Sequence, residues 1–155
     1  MSSFQAIPKA KDLLDYTMQR TVPKDADGGT KPRFPKSQAF GYCKALRDAA
    51  LVILERAQAA NDYYFETQYD NRLAALDAAL QNCELMLHLI DLSLKNGYIT
   101  AAQCLYWTEL ITAVKRPVFV WRKNDGNRAA ALREAQLTAE AARIADIMKR
   151  ITSSG

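Results

Sequence analysis

His88 is the only histidine in this chain of 155 residues, and it is the first residue to consider for catalysis or metal binding. Its neighbours Leu87 and Leu89 belong to the most apolar stretch of the sequence. This setting favours a hydrogen-bonded structural histidine. Glu84 and Asp91 are seven residues apart and could share a helix face, but metal sites in bundle cores use Glu-x-x-His pairs from several helices. The sequence therefore predicts no metal site.

The remaining chemistry-bearing residues form no catalytic pattern. The sequence has no phosphate-binding loop, dinucleotide-binding glycine pattern, zinc-protease motif or calcium loop. The three cysteines, Cys43, Cys83 and Cys104, are far apart, without C-x-x-C spacing, and are typical of small buried hydrophobic residues in a reducing compartment. No nucleophile, base and orienting group can be grouped from the sequence. We therefore expect neither enzymatic activity nor a cofactor.

Charge is distributed unevenly along the chain. Residues 1–60 contain ten Lys/Arg and six Asp/Glu, residues 61–114 two and seven, and residues 115–155 nine and four, for a net charge of +4. If the two basic regions meet in the fold, they form a positive face for a polyanion, whereas the alternative is ordinary solvated helix surface. The candidate nucleic-acid contacts are Arg33, Lys36, Lys44, Arg47, Arg56, Lys115, Arg116, Arg122 and Lys123.

Apolar spacing predicts the elements that carry these residues. Four helices are expected, at about 8–22, 35–60, 70–95 and 100–121, with an exposed loop over 24–32. Asn96-Gly97 and the capping box from Thr100 to Gln103 predict a tight hairpin between the third and fourth helices. The fold class is all-α, with residues 1–123 forming an up-down-up-down antiparallel four-helix bundle. In such a bundle the start of the second helix and the end of the fourth lie at opposite ends, unless oligomerisation or a long loop brings them together.

The end of the chain is expected to be separate from the bundle. Pro117 should kink or end the fourth helix, and Asn124-Asp125-Gly126-Asn127 should break the chain before a helical tail, giving a second unit at 124–155. The tail has a thin apolar stripe at heptad spacing, formed by Leu137, Ala141, Ile144, Met148 and Ile151. We expect this tail to need a partner surface.

Several apolar side chains exceed what one bundle needs. Leu85, Leu89 and Leu92 form a second stripe on the third helix, which must contact several helices or another subunit. The aromatic residues could stack on nucleic-acid bases, but at helix ends they more often pack a bundle or an interface; these are Tyr63, Tyr64, Phe65, Trp107, Phe119 and Trp121. The predicted oligomer interface comprises Leu85, Leu89, Phe119 and Trp121.

Charged residues interrupt every apolar run, so no stretch reaches the roughly 18–20 uncharged residues of a membrane span. Residues 1–5 also lack the pattern of a secretory signal. The predicted location is cytoplasmic, with no membrane partner.

Residues 32–123 resemble a known four-helix-bundle family. It includes the accessory variability determinant proteins of diversity-generating retroelements, and a sister branch is encoded in intervening sequences of bacterial 23S ribosomal RNA genes. The pieces that carry the resemblance are the long second helix, a fourth helix that ends in a basic tryptophan segment, and the stretches Arg33-Phe34-Pro35-Lys36-Ser37-Gln38, Leu76-Asp77-Ala78-Ala79-Leu80, Glu84-Leu85-Met86-Leu87 and Asn96-Gly97-Tyr98-Ile99-Thr100.

For the accessory proteins, the resemblance implies a homopentamer that binds a reverse transcriptase and its template RNA and supports error-prone cDNA synthesis. It places nucleic-acid contacts on the second helix and around the end of the fourth, at Lys36, Lys44, Arg47, Arg56, Arg116, Arg122 and Lys123. The chain departs from the family at Val118-Phe119-Val120, where small residues are usual, and from Asn127 onward, where it is longer. The alternative is a structural protein-interaction bundle that does not bind nucleic acid.

Overall fold

The computed structural model describes residues 2–24 and 31–154, with side chains from Gln5 onward. Four α-helices make up this part of the chain: α1 (Ser2–Arg20), α2 (Lys44–Asp62), α3 (Phe65–Lys95) and α4 (Ala101–Ser153). A 3-10 turn (Lys36–Gln38) and a π-helical turn (Ala39–Cys43) precede α2, and no strand occurs among the described residues. The all-α prediction is confirmed. Most of the predicted loop at 24–32 lies outside the described residues.

The helices are arranged in sequence order around one core, and each packs against two neighbours. The side-chain contacts show their directions. Trp107, near the start of α4, bonds Thr17, near the end of α1, whereas Arg72, early in α3, bonds Asp125, near the middle of α4. Arg47, early in α2, bonds Thr21, just after α1, and only two residues connect α2 to α3. Neighbouring helices are therefore antiparallel, and the predicted up-down-up-down four-helix bundle is confirmed.

The core combines small and large side chains. Alanines contribute at closely packed positions of α1, α2 and α3, and the gaps between them are filled by Leu13, Leu46, Ile53, Leu76, Met86, Ile90, Trp107 and Ile111. Such interdigitation lets helices approach closely without leaving cavities. Cys43 and Cys83 belong to this core, as their sequence setting predicted, and Cys104 is half-buried.

The hairpin between α3 and α4 forms as predicted. Gly97 has a φ of 75°, a left-handed conformation that favours glycine, and Tyr98 N–H donates to the Ser93 carbonyl at 2.9 Å. Thr100 Oγ1 accepts from Gln103 N–H at 3.0 Å, while Gln103 Oε1 accepts from Thr100 N–H at 2.9 Å. This capping box satisfies two backbone donors at the start of α4.

The predicted end of the fourth helix at about residue 121 is wrong. Helix α4 continues for 53 residues, or roughly 80 Å, through Pro117 and through the expected break at 124–127. Asp125 is buried and paired with Arg72 of α3, so tertiary contacts hold the segment as helix despite its turn-forming residues. Pro117 is buried, and Val114 and Val118, which flank it in the sequence, pack in the core.

Three other helix boundaries differ from expectation. Helix α1 begins at Ser2 instead of Pro8, and α3 begins at Phe65 instead of Asp70. Regular α2 begins only at Lys44, because the backbone at Gly41 leaves helical geometry (φ −101°, ψ −110°). There Gln38 Oε1 accepts from Tyr42 N–H at 3.4 Å.

The last part of α4 projects beyond the bundle. Ala129 is its last buried residue, and Arg133 still pairs with Asp70 of α3, but every residue from 134 to 154 is exposed. Residues 134–153 therefore form a lone helix roughly 30 Å long. We call this segment the tail.

Helix α3 is long and apolar enough to cross a membrane by length and composition, which the sequence reasoning did not expect. Its residues Leu76, Ala79, Cys83, Met86 and Ile90 pack in the bundle core. The core helix of a four-helix bundle meets the same criterion, so this feature is weak evidence for a membrane span.

Candidate nucleic-acid interface

A groove of about 690 Å³ lies where α1 ends and α4 begins. One wall is formed by residues 22–24 and 31–34, which are linked because Lys24 N–H donates to the Phe34 carbonyl at 2.9 Å. Phe34 is buried, with its ring 5.5 Å from that of Tyr98 after α3. The other wall is the capped start of α4 at Thr100 and Gln103. The packing of Phe34 against Tyr98 therefore holds the first of these walls in position.

The part of the groove lining that the structure describes is cationic. Its described lining includes four basic residues, Arg20, Lys24, Lys31 and Arg33, and no carboxylate. Arg20, Lys24 and Lys31 are exposed, and Arg33 is half-buried. Lys and Arg grouped in this way are suited to contacting a phosphate backbone without reading base sequence. We call these four residues and their setting the cationic groove.

The candidate residues of the second helix have different roles. Arg33 lines the cationic groove, and Lys36 is exposed in the 3-10 turn. Lys44 forms an exposed ion pair with Asp48 one turn later. Arg56 is half-buried on α2.

Arg47 is engaged inside the fold. Its Nε donates to Thr21 Oγ1 at 2.8 Å, Thr21 Oγ1 donates to the Thr17 carbonyl at 2.6 Å, and Trp107 Nε1 donates to Thr17 Oγ1 at 3.1 Å. These hydrogen bonds link α2, the segment after α1, α1 itself and α4. The contact satisfies a buried hydroxyl, so we assign Arg47 a structural role.

The candidate residues of the fourth helix divide in the same way. Lys115 pairs with Glu84, and Arg122 forms a two-pronged bond to Asp77, with Nε to Oδ1 at 2.7 Å and Nη2 to Oδ2 at 3.4 Å. The hydrogen bond from Lys115, reinforced by its charge, lowers the pKa of the Glu84 carboxyl. Arg116 and Lys123 are exposed, and they extend into solvent on α4.

The bundle does not bring the two basic regions together within one chain. The cationic groove lies at the α1 end and α4 start, whereas Arg122 pairs with Asp77 of α3 further along α4, and Lys123 follows it in the same helix. This placement agrees with the topology expected from the sequence. A single continuous positive face would require a second copy of the chain.

Of the predicted interface residues, Trp121 needs correction. Only 4% of it is exposed, and its ring lies 5.6 Å from the Arg72 guanidinium, so it packs within its own bundle. It is buried because α4 continues as helix and places this position on the inner face. Phe119 is 58% exposed and Leu85 46%, whereas Leu89 is half-buried against the core.

Sequence reasoning missed a polar cluster at the far end of the bundle. Arg72 Nε donates to Asp125 Oδ2 at 2.6 Å, and the Asp125 carboxylate is 5% exposed. Arg128 lies 3.7 Å from the same carboxylate, and its guanidinium is 3.8 Å from the Phe65 ring centroid. Asp125 and Arg72 are 53 positions apart, so nothing in the local sequence could have revealed the pair.

An exposed apolar patch was also missed. Phe40, in the π-helical turn before α2, is 89% exposed. It lines a shallow groove of about 330 Å³ with Met18 of α1 and Leu51 of α2. The sequence reasoning placed Phe40 on the apolar face of a regular helix, and only the turn at Gly41 directs it outward.

The residues considered first for chemistry are dispersed. His88 is exposed on α3, so the expectation of a structural histidine in an apolar setting is wrong: it lies on the outer face of the helix. Burial raises the pKa of the Cys83 thiol to about 12. Among the residues that the structure describes, no group of three His, Cys, Asp or Glu side chains could hold a metal ion.

Comparisons with protein-family models, with curated protein sequences and with solved structures give no match.

Proposed function

We propose that this chain is a non-catalytic accessory subunit of a diversity-generating retroelement. It binds the reverse transcriptase and its template RNA or cDNA, and thereby supports mutagenic reverse transcription. The observation that carries the proposal is the cationic groove, with four basic residues and no carboxylate in its described lining. The sequence resemblance supplies the identity of the partners.

The RNA contacts are the phosphates of its backbone. Flexible lysines at the rim of the groove neutralise phosphates without reading bases. Arg116 and Lys123, exposed on α4, supply a second contact region. Arg47 and Arg122 act indirectly, since their guanidinium groups are held by Thr21 and Asp77.

The subunit works as a cytoplasmic homo-oligomer of five copies, the number that the resemblance implies. Phe119 and Leu85 give each bundle exposed apolar surface for such contacts. Assembly would also bring together the basic regions of different chains, whereas the antiparallel topology keeps the two basic regions of one chain apart.

The decisive variant is Lys24→Glu/Lys31→Glu, which reverses two exposed charges of the groove without touching a buried side chain. We expect binding of template RNA to weaken by more than tenfold and its dependence on salt to become shallower by about one per lost phosphate contact. Fluorescence anisotropy across a salt titration measures both. Copurification of the chain with the reverse transcriptase and its RNA is the cellular readout.

The matched control is Lys9→Glu/Lys11→Glu on α1, which makes the same change in net charge at exposed positions away from the groove. It should retain most of the affinity. Equal loss in both pairs would show that only net charge matters and would reject the groove. RNA binding that ignores salt and both substitutions would reject the proposal itself.

A second candidate function is a protein-interaction module that does not bind nucleic acid. Its support is Phe40, 89% exposed beside Met18 and Leu51, because buried aromatic anchors dominate many interfaces. Phe40→Ser should abolish capture of a protein partner under this alternative. If the chain binds no RNA and Phe40→Ser releases the partner, the alternative is the better description.

A further inference from the structure

The tail carries an apolar seam with no partner in the folded chain. Leu137, Ile144, Met148 and Ile151 are 52–66% exposed, and Ala141 completes their spacing of alternating four and three residues. This is the a and d pattern of a coiled coil, with Ala141 and Met148 at a and Leu137, Ile144 and Ile151 at d. A lone helix with such a seam exposes apolar surface that a second helix would bury.

We propose that the seam is a dimerisation site, in which the tail pairs with the tail of a second copy of this chain in antiparallel orientation. The pairing is separate from the proposed RNA and reverse-transcriptase binding and from the contacts of the proposed five-copy assembly. It joins a bundle of one assembly end to end with a bundle of another. The charges and the side-chain sizes of the tail both favour a second tail in antiparallel orientation as its partner.

The charges of the tail complement themselves when one copy is reversed. Residues 134–142 contain Glu134 and Glu140 as their charged side chains, a net charge of −2. Residues 143–154 contain three basic residues, Arg143, Lys149 and Arg150, against Asp146, a net charge of +2. Antiparallel pairing sets the acidic half of each helix against the basic half of the other, whereas parallel pairing sets like charges together.

The seam side chains also match in size in this orientation. Reversing one helix places a positions opposite d positions, so the small Ala141 faces the large Ile144 of the second copy, and Leu137 faces its Met148. A parallel pair would instead set Ala141 against Ala141, which leaves a gap, and Glu134 against Glu134 at the next a position. Large side chains facing small ones are what a filled core requires.

The geometry leaves room for both bundles. The tail is exposed on all sides from residue 134 and extends roughly 30 Å from the end of the bundle. Two tails that overlap along this length place their bundles at opposite ends of a rod. The cationic groove, at the α4 start, remains at the far end of each bundle and stays open.

The test is the mass of the full-length chain in solution, measured by analytical ultracentrifugation across a wide concentration range. We expect Ile144→Glu/Ile151→Glu to halve the mass of the assembly. The matched control is Ala139→Glu/Ala142→Glu, which adds the same two carboxylates to the opposite face of the tail and should leave the mass unchanged. Circular dichroism should show that both variants keep their bundles folded.

Glu134→Lys tests the orientation. In the antiparallel pair this change removes attraction to the basic half of the second copy, so the dissociation constant should rise several-fold, and the difference should vanish at high salt. In a parallel pair it relieves repulsion between two glutamates, and the dissociation constant should fall.

Three results would overturn the proposal. One is a chain that stays monomeric at every concentration, another is an assembly whose mass ignores Ile144→Glu/Ile151→Glu, and the third is tighter association of Glu134→Lys. The proposed function can be judged separately, since its readout is RNA binding by Lys24→Glu/Lys31→Glu. Neither of those lysines lies in the tail.

Discussion

Asp125 and Arg72 meet inside the end of the bundle from which the tail projects, with both charges largely removed from water. Replacing Asp125 with Ala leaves the Arg72 guanidinium buried without its carboxylate. We expect the free energy of unfolding to fall by about 3–5 kcal/mol, because an uncompensated buried charge is costly. Urea denaturation followed by circular dichroism measures the loss.

Asp70→Ala is the control for that change. Asp70 pairs with Arg133 at 3.1 Å, but both side chains are more than half exposed. Exposed pairs contribute roughly 0–1 kcal/mol, so the loss should be small. Similar losses for Asp125→Ala and Asp70→Ala would mean that the buried pair is not a structural anchor.

We expect the Cys83 thiol to react slowly with alkylating reagents in the native chain. Burial raises its pKa from 9.0 to about 12, and Lys115 offsets only part of this effect. Because the unfolded thiol loses its proton near pH 9 and the folded one keeps it, the unfolded state binds fewer protons between these values. The contribution of Cys83 to stability is therefore complete below pH 9 and is lost as the pH rises towards 12.

Alkylation with iodoacetamide at pH 8, followed by mass spectrometry, checks the state of this thiol. Half-buried Cys104 should react well before Cys83, and urea should abolish the difference. Rapid native alkylation of Cys83 would show that the α3 core opens more readily than its packing implies.

Single residues show where sequence reasoning stops. Burial of Leu76 and Met86 follows from their spacing, because one helix face must be apolar. The partners of Arg47, Lys115 and Arg122 could not be read in the same way, since each lies on another element. Of the four basic residues that line the cationic groove, only Arg33 was predicted as a site residue. Arg20 ends α1, and Lys24 and Lys31 lie at the edges of the predicted loop, so no helical pattern pointed to them.

At the scale of the element, the continuity of α4 makes Gly126 informative. In a regular helix, Gly126→Ala should raise the free energy of unfolding by up to about 1 kcal/mol, through the higher helix propensity of alanine. The added Cβ would lie 2.7 Å from Arg122 Nη1, so the guanidinium that Asp77 holds must shift, and this offsets part of the gain. Thermal denaturation measures the effect.

Gly97→Ala is the matched comparison. Gly97 has a φ of 75°, so a side chain there is strained, and we expect a loss of about 1–2 kcal/mol. A similar loss at Gly126 would contradict a continuous α4 and would restore the break that the sequence suggested at 124–127.

The elements were predicted better than their ends. Periodicity identifies each helix because burial of one face imposes it. The ends depend on contacts that periodicity does not contain: Asp125 remains helical through its bond to Arg72, and Gly41 interrupts the start of α2 while Gln38 holds the Tyr42 N–H. Local propensity favoured the end of a helix around Asp125 and a regular helix around Gly41.

At the scale of the whole molecule, the bundle should fold without the tail. No core residue lies beyond Ala129, and the side chains from 134 onward are exposed. A chain truncated after Arg133 should keep its free energy of unfolding within about 1 kcal/mol in urea titrations, because almost no buried surface is lost. A larger loss would show that the tail folds back on the bundle in solution.

Because α4 is unbroken, a small change in its direction displaces the end of the tail by a larger distance. Its first turn, capped by Thr100, forms one wall of the cationic groove, and its last turns lie roughly 80 Å away. A tilt of about 10° where α4 leaves the bundle would displace the tip of a roughly 30 Å tail by about 5 Å, close to one helical pitch. A distance probe at the tip could follow a movement of this size.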